Sequence, residues 1–307
     1  MRAFIFPGQG SQSVGMGKAL AEASRAARDV FDEMDEALGQ HLFRLMTEGP
    51  IEELTLTENA QPAIMANAIA TLRAAGIDLV GKANFVAGHS LGEYSALCAA
   101  GAFDLATTGR LLKLRGQAMQ AAVPVGEGAM AALLGANLET AQAIAGAAAE
   151  GEVCAVANDN DPSQVVISGA KAAVERALGI AKDKGAKRAI LLPVSAPFHS
   201  PLMKPAAERM AEALGEVEIA APAVPLYANV TASPVSAPAE IRDLLVAQVT
   251  GMVRWRESVA NMAAAGVTNF VEFGAKVLTP MVKRIAPDAE ATSVVTPDDI
   301  EALLKAM

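Results

Sequence analysis

A serine with glycine two residues away on each side, in Gly88-His89-Ser90-Leu91-Gly92, is the first place in this chain where chemistry is legible. A short, mostly apolar run, Asn84 to Ala87, leads into it, and a helix-like run, Glu93 to Ala100, follows. Strand, sharp turn and helix form the context in which Gly-x-Ser-x-Gly means a nucleophile elbow. Such a turn crowds backbone against backbone, so both flanks suit glycine. The hydroxyl then stands clear of the sheet. The Leu91 amide lies at a helix start, free to donate to an anion.

A serine nucleophile needs a base. The histidines are His41, His89 and His199. His89 adjoins Ser90, and its ring is expected to point away from the serine oxygen. His41 lies between helical segments among charged residues and is expected at the surface. His199 sits in Val194-Ser195-Ala196-Pro197-Phe198-His199-Ser200-Pro201, a loop pinned by prolines. Such a loop holds a side chain at low entropic cost. Elimination makes His199 the base. No Asp or Glu stands out as its orienter, which leaves a backbone carbonyl or an amide side chain for that role.

Arg115 is the next candidate. On a helical wheel, Leu111, Ala118, Met119 and Ala122 share its face, while Arg110, Lys113, Gln117 and Gln120 fall opposite. A guanidinium at the centre of an apolar face is costly without a partner. Two partners are open: an internal Asp or Glu in a structural ion pair, or a substrate carboxylate held bidentately near Ser90.

The loop Gly8-Gln9-Gly10-Ser11-Gln12 follows the first apolar run, Arg2 to Phe6. It fails both nucleotide-binding patterns, because Ser13 and Met16 stand where glycine and lysine are required. Its use is close backbone approach to a substrate oxygen. The amides of Gln9 and Leu91 together would form an oxyanion hole.

These residues need a scaffold. Arg2 to Phe6 reads as a buried strand, and Lys18 to Leu38 and Ile64 to Ala75 as helices. The elbow follows, then a helix from Leu105 to Ala122. This alternation predicts an α/β domain with a mostly parallel sheet. From Val125 the order becomes strand (129–134), helix (139–149), strands (152–157 and 164–168), helix (171–184) and strand (187–192). That is β-α-β-β-α-β, the ferredoxin-like pattern. The predicted division is a large α/β domain, 1–124 and 196–307, with a small α+β subdomain inserted at 125–195. After the insert come a strand at 225–229, a helix at 241–249, a strand at 268–273, and helices at 278–285 and from Pro297.

Composition agrees with a large core. Of 307 residues, 52% are hydrophobic and 19% charged, so the chain can bury a core and is not disordered. A formal net charge of −9 argues against general nucleic-acid binding. Cys98 and Cys154 sit among small apolar residues and read as buried, reduced thiols. No metal-ligand spacing is present, and neither a metal nor a cofactor is expected. The first residues carry too short an apolar run for a signal peptide. Prolines at 222, 225, 234 and 238 rule out a spanning helix in the longest uncharged run. A cytoplasmic protein without membrane contact is expected.

Taken together, the motifs resemble one family. Phe6 to Gln12, Leu56 to Ala63, Gly88 to Tyr94, Arg115 to Met119, Asn158 to Gly169, Ala196 to Ser200 and Val271 to Gly274 are similar, nearly end to end, to the bacterial malonyl-CoA–acyl carrier protein transacylases. The resemblance implies a hydrolase-like α/β domain with a ferredoxin-like insert. It implies ping-pong transfer of malonyl from malonyl-CoA to the phosphopantetheine thiol of acyl carrier protein, in fatty acid synthesis. Ser90 would carry the acyl group and His199 would be the base. Arg115 would clamp the malonyl carboxylate, and Gln9 and Leu91 would form the oxyanion hole. Gln248 would support the site, a main-chain carbonyl in the Asn158–Asn160 segment would orient the histidine, and Gln61 would line the pocket. A monomer is expected. Lys182, Lys184, Lys187 and Arg188, or Lys276, Lys283 and Arg284, are candidate docking cations for an acidic carrier. One departure is Gly274-Ala275-Lys276, where the family has a Pro-Gly pair after the glycine. A serine esterase, a non-catalytic carrier-binding scaffold and a methylmalonyl-selective variant are the rival readings.

Overall fold

The computed structural model describes residues 1–194 and 196–307; Ser195, in the expected proline-pinned loop and at the end of the expected insert, lies outside them. The strands are β1 (Arg2–Phe6), β2 (Phe85–Gly88), β3 (Gly128–Leu134), β4 (Cys154–Asp161), β5 (Gln164–Ala170), β6 (Arg188–Leu191), β7 (Leu226–Ala228), β8 (Ser233–Val235), β9 (Asn269–Phe273) and β10 (Glu290–Val294). They form two sheets. The larger runs β10-β9-β1-β2-β7-β8, and the smaller runs β4-β5-β3-β6.

The larger sheet is parallel except for β8. Its central strand, Ala3-Phe4-Ile5-Phe6, is fully buried. A parallel strand covered on both faces reads as a continuous apolar run, which is why β1 was legible. Phe4 and Phe6 pack against Phe273 on one face, while Ala3 and Ile5 pack near Trp255 and Phe270 on the other. Phe6 pairs with Gly88, so β1 and β2 end side by side. The glycine-rich loop and the serine turn therefore leave the sheet together. In open α/β sheets the carboxyl ends of the strands are where ligands bind.

The smaller sheet is antiparallel, in the ferredoxin-like strand order, with the helices Leu138–Ala149 and Lys171–Ile180 on one face. Alternation along β3 divides its side chains. Ala131 and Leu133 pack with Ile144, Val165 and Val174 in a core of their own. Met130 and Ala132 belong to the main core. The expected fold class is thus observed: a mostly parallel α/β sheet plus a ferredoxin-like α+β unit.

Several expected elements differ. The helix read over Lys18 to Leu38 is broken at Ser24, which is extended and whose hydroxyl accepts from the Ala27 amide to cap a new helix. The helix read from Ile64 begins at Thr57, with Pro62 inside it. The helix read to Lys184 ends at Ile180. The helices Leu42–Glu48, Ile51–Thr55, Lys204–Gly215 and Trp255–Ala264, and the strands β8 and β10, were not anticipated. Cys98 and Cys154 are free but only partly buried. Cys154 lies on β4, an edge strand. No described helix is long and apolar enough to cross a membrane.

Candidate active site

The elbow follows from close approaches. A Cβ on Gly88 would lie 1.9 Å from the Gly92 backbone, and one on Gly92 would lie 2.3 Å from the Phe6 carbonyl oxygen. Neither position admits a side chain. Between them Ser90 takes a left-handed φ of 53°, strained for a serine. The strain is held by Asn229. Its Oδ1 accepts from the Ser90 amide at 2.8 Å, and its Nδ2 donates to the Gly88 carbonyl at 2.7 Å.

Ser90 Oγ lies 2.7 Å from His199 Nε2. His199 Nδ1 lies 2.8 Å from the Gln248 carbonyl and 3.1 Å from the Gly251 carbonyl. Carbonyls only accept, so Nδ1 carries the proton and Nε2 is left to receive the serine's. This corrects the expectation for Asn158. The carbonyls that hold Nδ1 belong to Gln248 and Gly251, not to the 158–160 segment, which is instead tied to Val253 through the Asp159 amide. Asn158 instead lines the pocket. Burial, and after it the Arg115 charge, pushes the His199 pKa down to about 3, so the imidazole is neutral near pH 7 and its Nε2 is open to accept a proton. The other histidines fall as expected. His89 turns from the serine to Asn160 Oδ1 at 2.8 Å, and His41 is exposed.

Arg115 is 1% exposed. Its Nη2 donates to Ser90 Oγ at 3.1 Å and to Gln248 Oε1 at 2.7 Å, and its Nη1 donates to Gln61 Oε1 at 2.8 Å. Its guanidinium also faces the Tyr94 ring, 5.7 Å from the centroid. Every one of these acceptors is neutral, and among the described residues Nε has no hydrogen-bond partner. Among the described residues no carboxylate forms an ion pair with it. The open choice about its partner is thereby narrowed: the cation is held in place but not neutralised by contact.

Gln61 is a link as well as a lining residue. Its Nε2 donates to Thr57 Oγ1 at 3.0 Å, and Thr57 Oγ1 donates to Gln9 Oε1 at 2.8 Å. The glycine-rich loop is thus tied to the arginine. Among the described residues the backbone amides of Gln9 and Leu91 have no hydrogen-bond partner. Both residues line the cavity that holds Ser90, Arg115, Gln61 and His199.

That cavity is about 260 Å³, with Met119, Met130, Leu192 and Phe198 in its walls. It lies below the roughly 300–1,000 Å³ of sites for drug-sized ligands. Sequence reading missed Glu93, Asn229 and Thr57. Glu93 is 2% exposed; Oε1 accepts from the Asn229 amide at 2.6 Å and Oε2 from Gln248 Nε2. Burial pushes its pKa up to about 8, against the pull of those donors and of Arg115. A buried acid on an otherwise uncharged helix start, Gly92-Glu93-Tyr94-Ser95-Ala96, was the available signal. No described group of His, Cys, Asp and Glu could hold a metal ion.

A serine at a strained elbow, a neutral imidazole on its oxygen and two amides without partners among the described residues are the parts that acyl transfer by a nucleophile requires. The chain belongs to the acyl transferase domain family, whose model matches residues 3–294. It is 46% identical over 310 residues to the malonyl CoA-acyl carrier protein transacylase of Bacillus subtilis (strain 168), covering 99% of this chain and 96% of that protein. The crystal structure of acyl-carrier-protein-S-malonyltransferase from Bartonella henselae superposes with a TM-score of 0.97 at 54% identity, covering 99% of this chain and 98% of that one. A malonyl-transacylase in complex with its type II PKS acyl-carrier protein superposes with a TM-score of 0.95 at 40% identity, covering 100% and 99%.

Proposed function

We propose that this chain transfers the malonyl group of malonyl-CoA to the phosphopantetheine thiol of an acyl carrier protein, through a malonyl ester on Ser90. The observation that carries this reading is a buried Arg115 cation 3.1 Å from Ser90 Oγ, with only neutral acceptors. A hydrolase for simple esters has no use for such a charge. A diacid bound at the serine would place its free carboxylate on the guanidinium.

His199 Nε2 takes the Ser90 proton as the oxygen attacks the thioester carbonyl. The Gln9 and Leu91 amides receive the developing oxyanion, each donor worth roughly 3 kcal/mol. The tetrahedral intermediate collapses, CoA leaves as the thiol with the proton from His199, and malonyl stays on Ser90. The carrier thiol attacks next, losing its proton to His199, and the malonyl thioester leaves with Ser90 reprotonated.

Names of the relatives support both partners, CoA thioester and carrier. Lys182, Lys184, Lys187 and Arg188 are all exposed and fit an acidic carrier. The alternative group is depleted, because Arg284 is paired with Asp161 at 2.8 Å. The proposed working unit is one chain, with 125–195 inserted between 1–124 and 196–307, because Ser90, His199 and Arg115 already meet within it. The proposed setting is fatty acid synthesis in the cytoplasm.

Intact-mass measurement after mixing with malonyl-CoA tests the reading. A malonyl adduct should form on the wild type and be absent from Ser90→Ala. Arg115→Ala should lower malonyl transfer by about 2–5 kcal/mol in transition-state terms and acetyl transfer much less. Equal loss for both acyl groups would make Arg115 a structural residue and sink the proposal.

A further inference from the structure

Gln248 can face Arg115 in two ways, and only one is useful. Its carbonyl oxygen accepts from Arg115 Nη2 at 2.7 Å, while its amide nitrogen donates to the Ser90 carbonyl at 2.9 Å and to Glu93. A primary amide is nearly symmetric in shape, so hydrogen-bond partners alone choose its orientation. If it turned over, an N–H would meet the guanidinium N–H, and two donors would oppose each other.

Glu93 prevents this. Both Glu93 oxygens are met by N–H donors, Gln248 Nε2 on one side and the Asn229 backbone on the other, so both must accept: these contacts hold the carboxylate form against the burial that raises its pKa. Asn229 in turn holds Ser90 and Gly88 by its side chain. Glu93 is not among the residues that line the cavity. It therefore acts through others.

We propose that Glu93 is a positioning residue for acyl selectivity: by accepting from Gln248 Nε2 it locks the Gln248 carbonyl onto Arg115 and so holds the guanidinium ready for a substrate carboxylate. The inference rests on the malonyl reading of Arg115.

Glu93→Gln gives the sharpest test, because it keeps the shape and changes one acceptor to a donor. Its carbonyl can still take the Asn229 amide and preserve the elbow. Its NH2 then faces Gln248 Nε2, donor against donor, and Gln248 must turn over or draw back, in either case loosening its carbonyl from Arg115. Malonyl transfer should fall about tenfold or more in kcat/KM, the loss of a hydrogen bond to a charged group, while acetyl transfer changes by less than about threefold. In a Gln248→Ala background the same substitution should change the malonyl-to-acetyl ratio by less than about twofold, because its route is gone.

Equal loss for malonyl and acetyl would show a merely structural acid and overturn the proposal. So would an undiminished effect in the Gln248→Ala background. If Glu93→Gln does not fold, Glu93→Asp carries the same test, since the shorter acid cannot reach both donors. Arg115→Ala run alongside separates the two levels. An unchanged malonyl-to-acetyl ratio there refutes the malonyl reading itself, whereas a lowered ratio there with none in Glu93→Gln refutes only this inference.

Discussion

His199 keeps its Nε2 for the Ser90 proton because two main-chain carbonyls hold the other nitrogen. The same burial that fixes the ring makes it hard to protonate. With its pKa pushed down to about 3 from the ordinary 6.5, the folded protein binds this proton less readily than the unfolded chain. Stability from this group is therefore full above pH 6.5 and is lost as pH falls toward 3. For catalysis, kcat/KM should show no acid limb at pH 6.5 and should stay level down to about pH 5. Arg115 is the second cause of the shift, so Arg115→Ala should move the limb upward. A pH–rate profile of the wild type bending at 6.5 would contradict the buried, neutral base. Ser90, His199 and Arg115 were legible because each is an exception in its surroundings: a serine between glycines, a histidine between prolines, a cation on an apolar face. Glu93 and the Gln248 main chain were not. Their roles depend on which way an amide turns and where a carbonyl points, which side-chain type does not encode.

Two helices carry the clamp, Thr57–Ala75 with Gln61 and Leu105–Ala121 with Arg115. They meet at Gly116, where a Cβ would lie 2.5 Å from Glu58 Cα and 2.7 Å from the Glu58 amide nitrogen. Backbone cannot yield as a flexible side chain does, so Gly116→Ala should cost about 1–3 kcal/mol by overpacking. It should also separate Gln61 from Arg115 and lower malonyl transfer. Gly146, in the helix Leu138–Ala149, has nothing within 4 Å of the same position. Gly146→Ala should stabilise by about 0.5–1 kcal/mol. Urea unfolding of both variants checks the pair; equal shifts would mean helix propensity, not contact, governs Gly116. Element order was largely readable because strand and helix periods differ along both units. The first turn of the Gln61 helix was hidden by Pro62 and by its polar opening, Thr57-Glu58-Asn59. β10 was hidden too, since its residues, Glu-Ala-Thr-Ser-Val, make an edge strand with mostly polar exposure.

At the scale of the molecule, the two sheets are joined beside the site by polar contacts that the sequence does not announce. Asp159 and Asp161, at the end of β4, have fully or almost fully buried side chains. Each reaches across to an arginine of the larger unit, Arg256 and Arg284, both at 2.8 Å. Next to Asp159 in the chain, Asn158 bridges to Val253, two residues from the Gly251 whose carbonyl holds the histidine. Both Asp159 oxygens are taken by Arg256. Removing that arginine strands a buried carboxyl, which should cost about 1–3 kcal/mol at neutral pH. Arg28→Ala, which breaks an exposed pair with Asp32, should cost less than about 1 kcal/mol. The Arg256→Ala loss should shrink as pH is lowered, because the stranded carboxyl can then take a proton. The smaller unit supplies Met130 and Asn158 to the cavity wall, whereas Ser90, His199 and Arg115 all belong to the larger one. A loosened joint should therefore raise KM for malonyl-CoA by several-fold with little change in kcat. A fall in kcat at constant KM would instead mean that the joint acts on the serine–histidine pair, through Val253 and the Gly251 carbonyl beside it.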